Sequence, residues 1–237
     1  MAASKREDAS FLNIKRLHPQ PTLGLSAMKH RAIPFRKALQ AFLLLMLMAP
    51  GYGEATSYTF TEIAGPSAFH SVDSPAINAN GTVAFTAGLN PLGDQGVFTG
   101  NGGPLITIAT SNLNFLNFAG PSINDAGTVA FKATLHPSLG STTYGIFTGN
   151  GGSLTTVINI DSNTGSVGIP SINNAATVAF PKDSSSSFSG IVTSSGGVLT
   201  TIADNSVISS RGFGDAPSIN NLGTVSFQEF FLEIQMP

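Results

Sequence analysis

Pro75-Ala-Ile-Asn-Ala-Asn-Gly-Thr-Val-Ala-Phe85 decides the reading of this chain, because the pattern returns three more times. The copies are PSINDAGTVAF from Pro121 to Phe131, PSINNAATVAF from Pro170 to Phe180 and PSINNLGTVSF from Pro217 to Phe227, at spacings of 46, 49 and 47 residues. A second element follows each of the first three: GVFTGNGGPLITIA from Gly96, GIFTGNGGSLTTVI from Gly145 and GIVTSSGGVLTTIA from Gly190. Two motifs in fixed order, at a period within roughly 20–50 residues, mark a solenoid, a propeller or another array.

Each unit reads as four short strands, A to D. Strand A is the Ile-Asn arm. Asn78 then opens a turn in which its side chain can bond the backbone, and Gly81 closes it where a positive φ is needed. The equivalent pairs are Asn124 and Gly127, Asn173 and Ala176, and Asn220 and Gly223. Such a turn joins the strands of a hairpin. Strand B is Thr82-Val-Ala-Phe85, with Val83 and Phe85 on one face and Ala84 on the other. Strand C is Gly-Val-Phe-Thr, Gly100-Asn-Gly-Gly103 turns the chain, and Leu-Ile-Thr-Ile is strand D. Apolar residues on both faces call for a sheet covered on both sides, and in an array the covers are the neighbouring units. The predicted fold class is therefore all-β: tandem four-stranded antiparallel repeats starting at 75, 121, 170 and 217, resembling a β-propeller of about four blades. A sandwich or an open β-array stands behind it. No helix is predicted after residue 54. Ala176 breaks the turn rule, since alanine at left-handed φ costs about 1–2 kcal/mol.

Charge divides the chain in two. Before Glu54 lie eight Lys/Arg against two acids, a net of +6; from Glu54 onward three basic residues face eleven acids, a net of −8. The basic stretch runs into the apolar Ala41–Ala49 and then small residues at Gly51, Gly53 and Ala55. That is the pattern of a secretory signal peptide, and the apolar run is far short of the roughly 20 residues of a spanning helix. The expected organisation is an N-terminal extension over 1–27, with Met28 as the true start, a signal peptide over 28–53 and the β-repeat domain over 54–237. Export places the mature chain in the periplasm, at the cell surface or in the medium, with no membrane span left once the leader is removed.

The absence of cysteine excludes disulfides, thiolate nucleophiles, thiolate zinc sites, iron–sulfur clusters and a lipoprotein anchor. An acidic mature chain argues against nucleic acid and anionic membranes as partners. No motif calls for a cofactor or a metal: the histidines are isolated, and Asp161-Ser-Asn-Thr-Gly165 lacks the downstream Glu of a calcium loop and reads as an Asx turn. No nucleophile elbow is present, and the GNGG turns sit in hairpins rather than before helices, so they are not phosphate cradles.

Asn-x-x-Gly-x-x-Ala-Phe, as Asn78 to Phe85 and Asn124 to Phe131, resembles the bacterial tandem NxxGxxAF repeat family, the "choice-of-anchor" repeat proteins. It is also similar to HAF-type extracellular repeats. The third copy departs at Ala176 and the fourth at Ser226. The resemblance covers roughly residues 57–237 and implies export, often with a C-terminal sorting segment, which FFLEIQMP does not provide.

The ends raise a question of closure. The fourth unit has strands A and B, then Phe230-Phe-Leu-Glu-Ile in the place of strand C, while Tyr58–Ala64 precedes the first motif as a strand D would. Together these pieces could complete one blade of a closed ring. An open or truncated array would instead expose an apolar face and self-associate.

Turns A–B and C–D fall at one end of each unit and loops B–C and D–A at the other. Eleven of the sixteen charged or His residues from Glu54 onward fall in the second set. Asp73, Asp94, His136, Asp161 and Asp215 are the candidate binding rim. The expected function is a non-catalytic, exported interaction module for an extracellular glycan or protein. The alternatives are a carbohydrate-binding or glycoside-hydrolase-like propeller using that rim, and a truncated gene remnant.

Overall fold

The structure, a computed structural model, describes residues 14–20, 57–111, 114–138, 141–183, 188–205 and 210–231. The chain divides into two compact units, Arg16–Thr61 and a larger one made of Met1–Lys15 with Glu62–Pro237. Most of a two-stranded ribbon belongs to the smaller unit: β1 (Ile14–Gln20) pairs with β2 (Ser57–Ala64). The signal peptide expected over 28–53 lies outside the described residues.

In the larger unit the two motifs fold as predicted, into antiparallel meanders. The first module is β3 (Ser71–Ile77), β4 (Val83–Gly88), β5 (Gln95–Gly100) and β6 (Ile106–Thr110), paired in that order. The second repeats it with β7 (Phe115–Ile123), β8 (Val129–Ser138), β9 (Ser141–Gly149) and β10 (Thr155–Asp161). In the third, strand A is split into β11 (Ser166–Val167) and β12 (Ser171–Ile172), both on β13 (Val178–Asp183); β14 (Phe188–Ser195) and β15 (Val198–Asp204) follow. The fourth comprises β16 (Ser210–Phe213), β17 (Ser218–Ile219), β18 (Val225–Ser226) and β19 (Glu229–Phe231). The described residues contain no helix.

Proline explains the broken strand A. It has no N–H to give to the ladder, so pairing must lapse around it. In the first two modules the lapse is a bulge, between Asp73 and Ala76 and between Ala119 and Ser122. The residue before each proline takes a positive φ, 50° at Ser74 and 54° at Gly120. In the third and fourth modules the lapse divides the strand.

Two expectations need correcting. Phe230 and Phe231 do not begin a strand C. Glu229–Phe231 continues strand B and pairs back onto Ser210–Phe213, so the described part of the fourth module is an A–B hairpin. Alternation allows this: strand B carries on for as long as strand A offers backbone partners. Nor, among the described residues, do the two terminal pieces pair with each other: β2 pairs with β1, and β19 with β16.

The core lies between sheets, in four clusters. Ala84, Val97 and Ile108 of the first module pack on Phe118, Val129, Phe131 and Phe147 of the second. Ala130 and Ile146 of the second meet Val178, Phe180 and Val192 of the third, and Ile191 and Ala203 of the third meet Phe213, Val225 and Phe227 of the fourth. The Val83/Phe85 face of the first module is covered by Ile63, Ala64 and Phe69. Alternation along strand B thus directs Val and Phe to the preceding module and the small Ala to the following one. Each module contributes a large-residue face and a small-residue face, and the two kinds fit together. Phenylalanine rings reinforce the fit: Phe85 and Phe98 stack at 5.9 Å, Phe131 and Phe147 at 6.0 Å. Gly96 and Gly145 lie under the rings two residues on, where an added Cβ would come within 2.5 Å of Phe98 and 2.6 Å of Phe147.

The four A–B turns have the predicted form. Gly81, Ala176 and their equivalents donate N–H to the first turn residue's carbonyl at 3.0 Å, and φ is 75° at Gly81, 81° at Gly127 and 83° at Gly223. Ala176 is held at φ 58°. Ala176→Gly relieves this strain, less the entropy that glycine adds to the unfolded chain. A net gain of about 0.5–1 kcal/mol is expected as a higher urea midpoint.

Candidate functional site

The recurring turn residues meet across the module joints. In every module the first asparagine turns its side-chain oxygen inward to accept the N–H four residues on. Thr82 donates to Asn78, Thr128 to Asn124, Thr177 to Asn173 and Thr224 to Asn220, all at 2.9–3.0 Å. With Oδ1 fixed, Nδ2 faces the next module. Asn78 Nδ2 donates to the Asn124 carbonyl at 2.9 Å, Asn124 to Asn173 at 3.2 Å and Asn173 to Asn220 at 3.1 Å.

A second row runs beside the first. The N–H of Ala79 donates to Asp125 Oδ1 at 2.8 Å, that of Asp125 to Asn174 Oδ1 at 2.9 Å and that of Asn174 to Asn221 Oδ1 at 2.9 Å. Asn80 adds a bond from Nδ2 to the Asp125 carbonyl, and Asn174 Nδ2 returns one to Asp125 Oδ2 at 2.6 Å. A third row uses serine: Ile172 N–H donates to Ser122 Oγ and Ile219 N–H to Ser171 Oγ, both at 3.2 Å. Sequence reading found the local half of this arrangement and missed the half between modules. The signal was there in the second turn position, which is Asp125, Asn174 and Asn221 in the three modules that follow another and Ala79 in the first.

The ladder is buried in the middle and open at its last rung. Asn124 and Asn173 are each 4% exposed, whereas Asn220 is exposed. A buried amide is tolerated only when its donors and acceptors are met, and here each serves two modules at once. Asp125 is the one charged residue in the four turns. The Asn174 side-chain amide, and after it the Ala79 N–H, hold its carboxyl below the ordinary value of 3.8.

The candidate rim residues are not brought together. Asp73 lies on β3, accepts the Ser74 N–H at 2.6 Å and lines a polar cleft of about 170 Å³ with Ser71, Ser74, Thr86 and Gln95. Asp94 is exposed in the β4–β5 loop and accepts from Asn90 Nδ2 at 2.6 Å. His136 is exposed on β8. Asp161 ends β10 in the predicted Asx turn. Ser141 Oγ donates to its Oδ2 at 2.5 Å and the Asn163 N–H to its Oδ1 at 2.8 Å; these bonds, Ser141 first, hold the carboxyl low. The Asp215 carbonyl accepts the Ile169 N–H at 2.8 Å across the last joint. Strands also run further than the motifs predict. Lys132, Lys182 and Asp183 sit on strand B instead of in loops, and Asp183 is buried. Backbone pairing continues past the Val-Ala-Phe core wherever a partner strand is present. No group of three or more His, Asp or Glu among the described residues could hold a metal ion.

These features define a class: an all-β array of antiparallel sheets packed face to face and joined by a ladder of asparagine turns. Residues 55–165, which span the first two modules, match the model of a family of unknown function (DUF7453). No curated protein and no solved structure matches the chain.

Two outcomes follow from the ladder. Asn124→Ala or Asn173→Ala strands a threonine N–H and removes the bond to the next module's carbonyl, and should lower stability by about 2–4 kcal/mol; Asn220→Ala, at the exposed rung, should cost about 1 kcal/mol or less. Urea unfolding of the three variants gives that order. The second outcome concerns acid. A carboxyl with a depressed folded-state pKa contributes stability that is fully present above its unfolded value and is lost as pH falls through the folded one. Lowering the pH from about 5 to about 2 should therefore lower the urea midpoint of the natural chain more steeply than that of Asp125→Asn.

Proposed function

We propose that this chain is exported and works outside the cytoplasm as a non-catalytic interaction module, its modules forming a propeller-like array. One observation carries the reading. The residues that recur in all four copies are occupied in joining modules, and the loops and strand ends at the opposite end differ from copy to copy. A rigid stack with one uniform end and one varied end is the arrangement in which loops on a scaffold take on ligands. Asp73, Asp94, His136, Asp161 and Asp215 are the polar groups this varied end offers. The leader pattern before Glu54 and the resemblance to NxxGxxAF repeats support export. An open array rather than a closed ring is supported by the two end turns: among the described residues Asn220 Nδ2 has no acceptor, and the Asn78 carbonyl accepts only from Gly81.

A carbohydrate ligand is the favoured kind, on the strength of the cleft at Asp73. Its hydroxyls, amide and carboxylate suit a polyhydroxylated ligand better than an apolar one.

Glycan-array binding of the exported chain tests the reading, with Asp73→Ala and the double charge reversal Asp94→Lys/Asp215→Lys alongside. Loss of binding in either variant, with an unchanged unfolding midpoint, is the expected result. Turnover of a glycoside substrate abolished by Asp73→Ala would replace binding with hydrolysis, and variants that leave every bound ligand unaffected would remove the rim from consideration.

A further inference from the structure

The ladder has a direction, and its two ends are chemically different. At each joint the earlier module gives Nδ2 of its first turn residue and the N–H of its second. The later module receives them on a carbonyl and on an Asx side-chain oxygen. At the second and third joints a serine hydroxyl of the earlier module also accepts an isoleucine N–H of the later one.

The fourth module carries the earlier module's full set again. Asn220 Nδ2 and the Asn221 N–H have no acceptor among the described residues, and Ser218 stands where Ser122 and Ser171 stand. Beside them Leu222 is 92% exposed. It occupies the turn position from which Asn80 reaches across the first joint. Leu222 is an apolar side chain held out in water at a joint-forming position.

The first module is unlike the others at its opposite edge. Ala79 has no side-chain oxygen to offer a preceding module. Its large-residue face is already covered by Ile63, Ala64 and Phe69. Every Asn-Asx pair in the sequence is one of the turns at 124, 173 and 220, and each is engaged by the module before it. A second copy of this chain therefore has no free turn to match the open edge.

We propose that the edge formed by Ser218, Asn220, Asn221 and Leu222 is a docking site for an Asn-Asx-x-Gly hairpin other than those at 124, 173 and 220. The incoming turn supplies an asparagine carbonyl to Asn220 Nδ2, an Asp or Asn side-chain oxygen to the Asn221 N–H and an N–H to Ser218 Oγ. Its apolar strand residues cover Leu222. The edge continues three established joints and repeats their hydrogen-bond pattern, which is why the partner's chemistry can be stated. Ser226 and Gln228 occupy the sheet face next to it, where Ala84, Ala130 and Ala179 of the other modules are fully buried. The affinity thus lies in the turn, and a hairpin suffices. This site is separate from the ligand rim and does not depend on it.

The test uses the full chain and a backbone-cyclised peptide of the second module's hairpin, PSINDAGTVAFK, Pro121 to Lys132. Binding is followed by amide and side-chain NH₂ shifts. Saturable shifts confined to Ser218–Thr224 are expected. Replacing the peptide's Asp125 by Ala should weaken binding about fivefold or more, while Asp125→Asn should retain it. Asn220→Asp in the full chain keeps the oxygen that Thr224 and Leu222 need but removes the outward donor. It should weaken binding similarly with an unchanged fold. Absence of saturable binding, shifts elsewhere, or equal binding of the Asp125→Ala peptide would each overturn the proposal.

Discussion

A single asparagine side chain cannot be satisfied by its own module, and the rest of the architecture follows from that. Its oxygen is taken by the turn that it opens, which leaves a pair of N–H bonds aimed outward. Buried, those donors demand an acceptor, and the acceptor supplied is the same residue's carbonyl in the next copy. The requirement sets both the distance and the angle between neighbouring sheets. Hydrophobic burial between Ala84, Val97 and Ile108 on one side and Phe118, Phe131 and Phe147 on the other supplies most of the driving force. That burial is indifferent to small slides, and the ladder is not. Register between modules is thus a polar decision imposed on an apolar joint.

The small-against-large division of the two sheet faces works with that constraint. Alanine at the centre of strand B lets the next sheet approach closely enough for the turn bonds to form, and a larger residue there would hold the asparagines apart. Glycine at 96 and 145 serves the same end from strand C by letting a phenylalanine ring lie down over the backbone. Ala176 shows how firmly the turn geometry is imposed. A residue that resists left-handed φ is nonetheless held there, because the bonds on either side of it determine the conformation.

Much of this could be read from the sequence. Period, strand number, the facing of Val83 and Phe85 against Ala84, and the turn at Asn78 to Gly81 are local properties, and local rules recover them. The strained Ala176 was legible for the same reason. What escaped is non-local. Nothing in the string says that Asn78 Nδ2 has no partner inside its own turn, so the amide looked fully explained by its oxygen. Asp125, Asn174 and Asn221 looked like ordinary turn residues, although their alignment against Ala79 carried the clue. The period calls for a new strand at Phe230 and Phe231, but the chain does not turn before them. The candidate rim was the least legible part. Charge segregation located an end of the module, and it could not say that Asp73, Asp94, His136, Asp161 and Asp215 would be spread over the first, second and fourth modules.

Among the described residues the core clusters and the turn bonds each join one module to the next, and this also shapes how the molecule bears load. Tension applied across the stack passes through the joints in series, and each joint holds by a few parallel bonds between turns and one layer of interdigitated side chains. Such a body yields one module at a time, and the unbroken remainder keeps its shape while the released segment lengthens. Under load such a stack therefore lengthens stepwise, with a built-in sequence of breaking points.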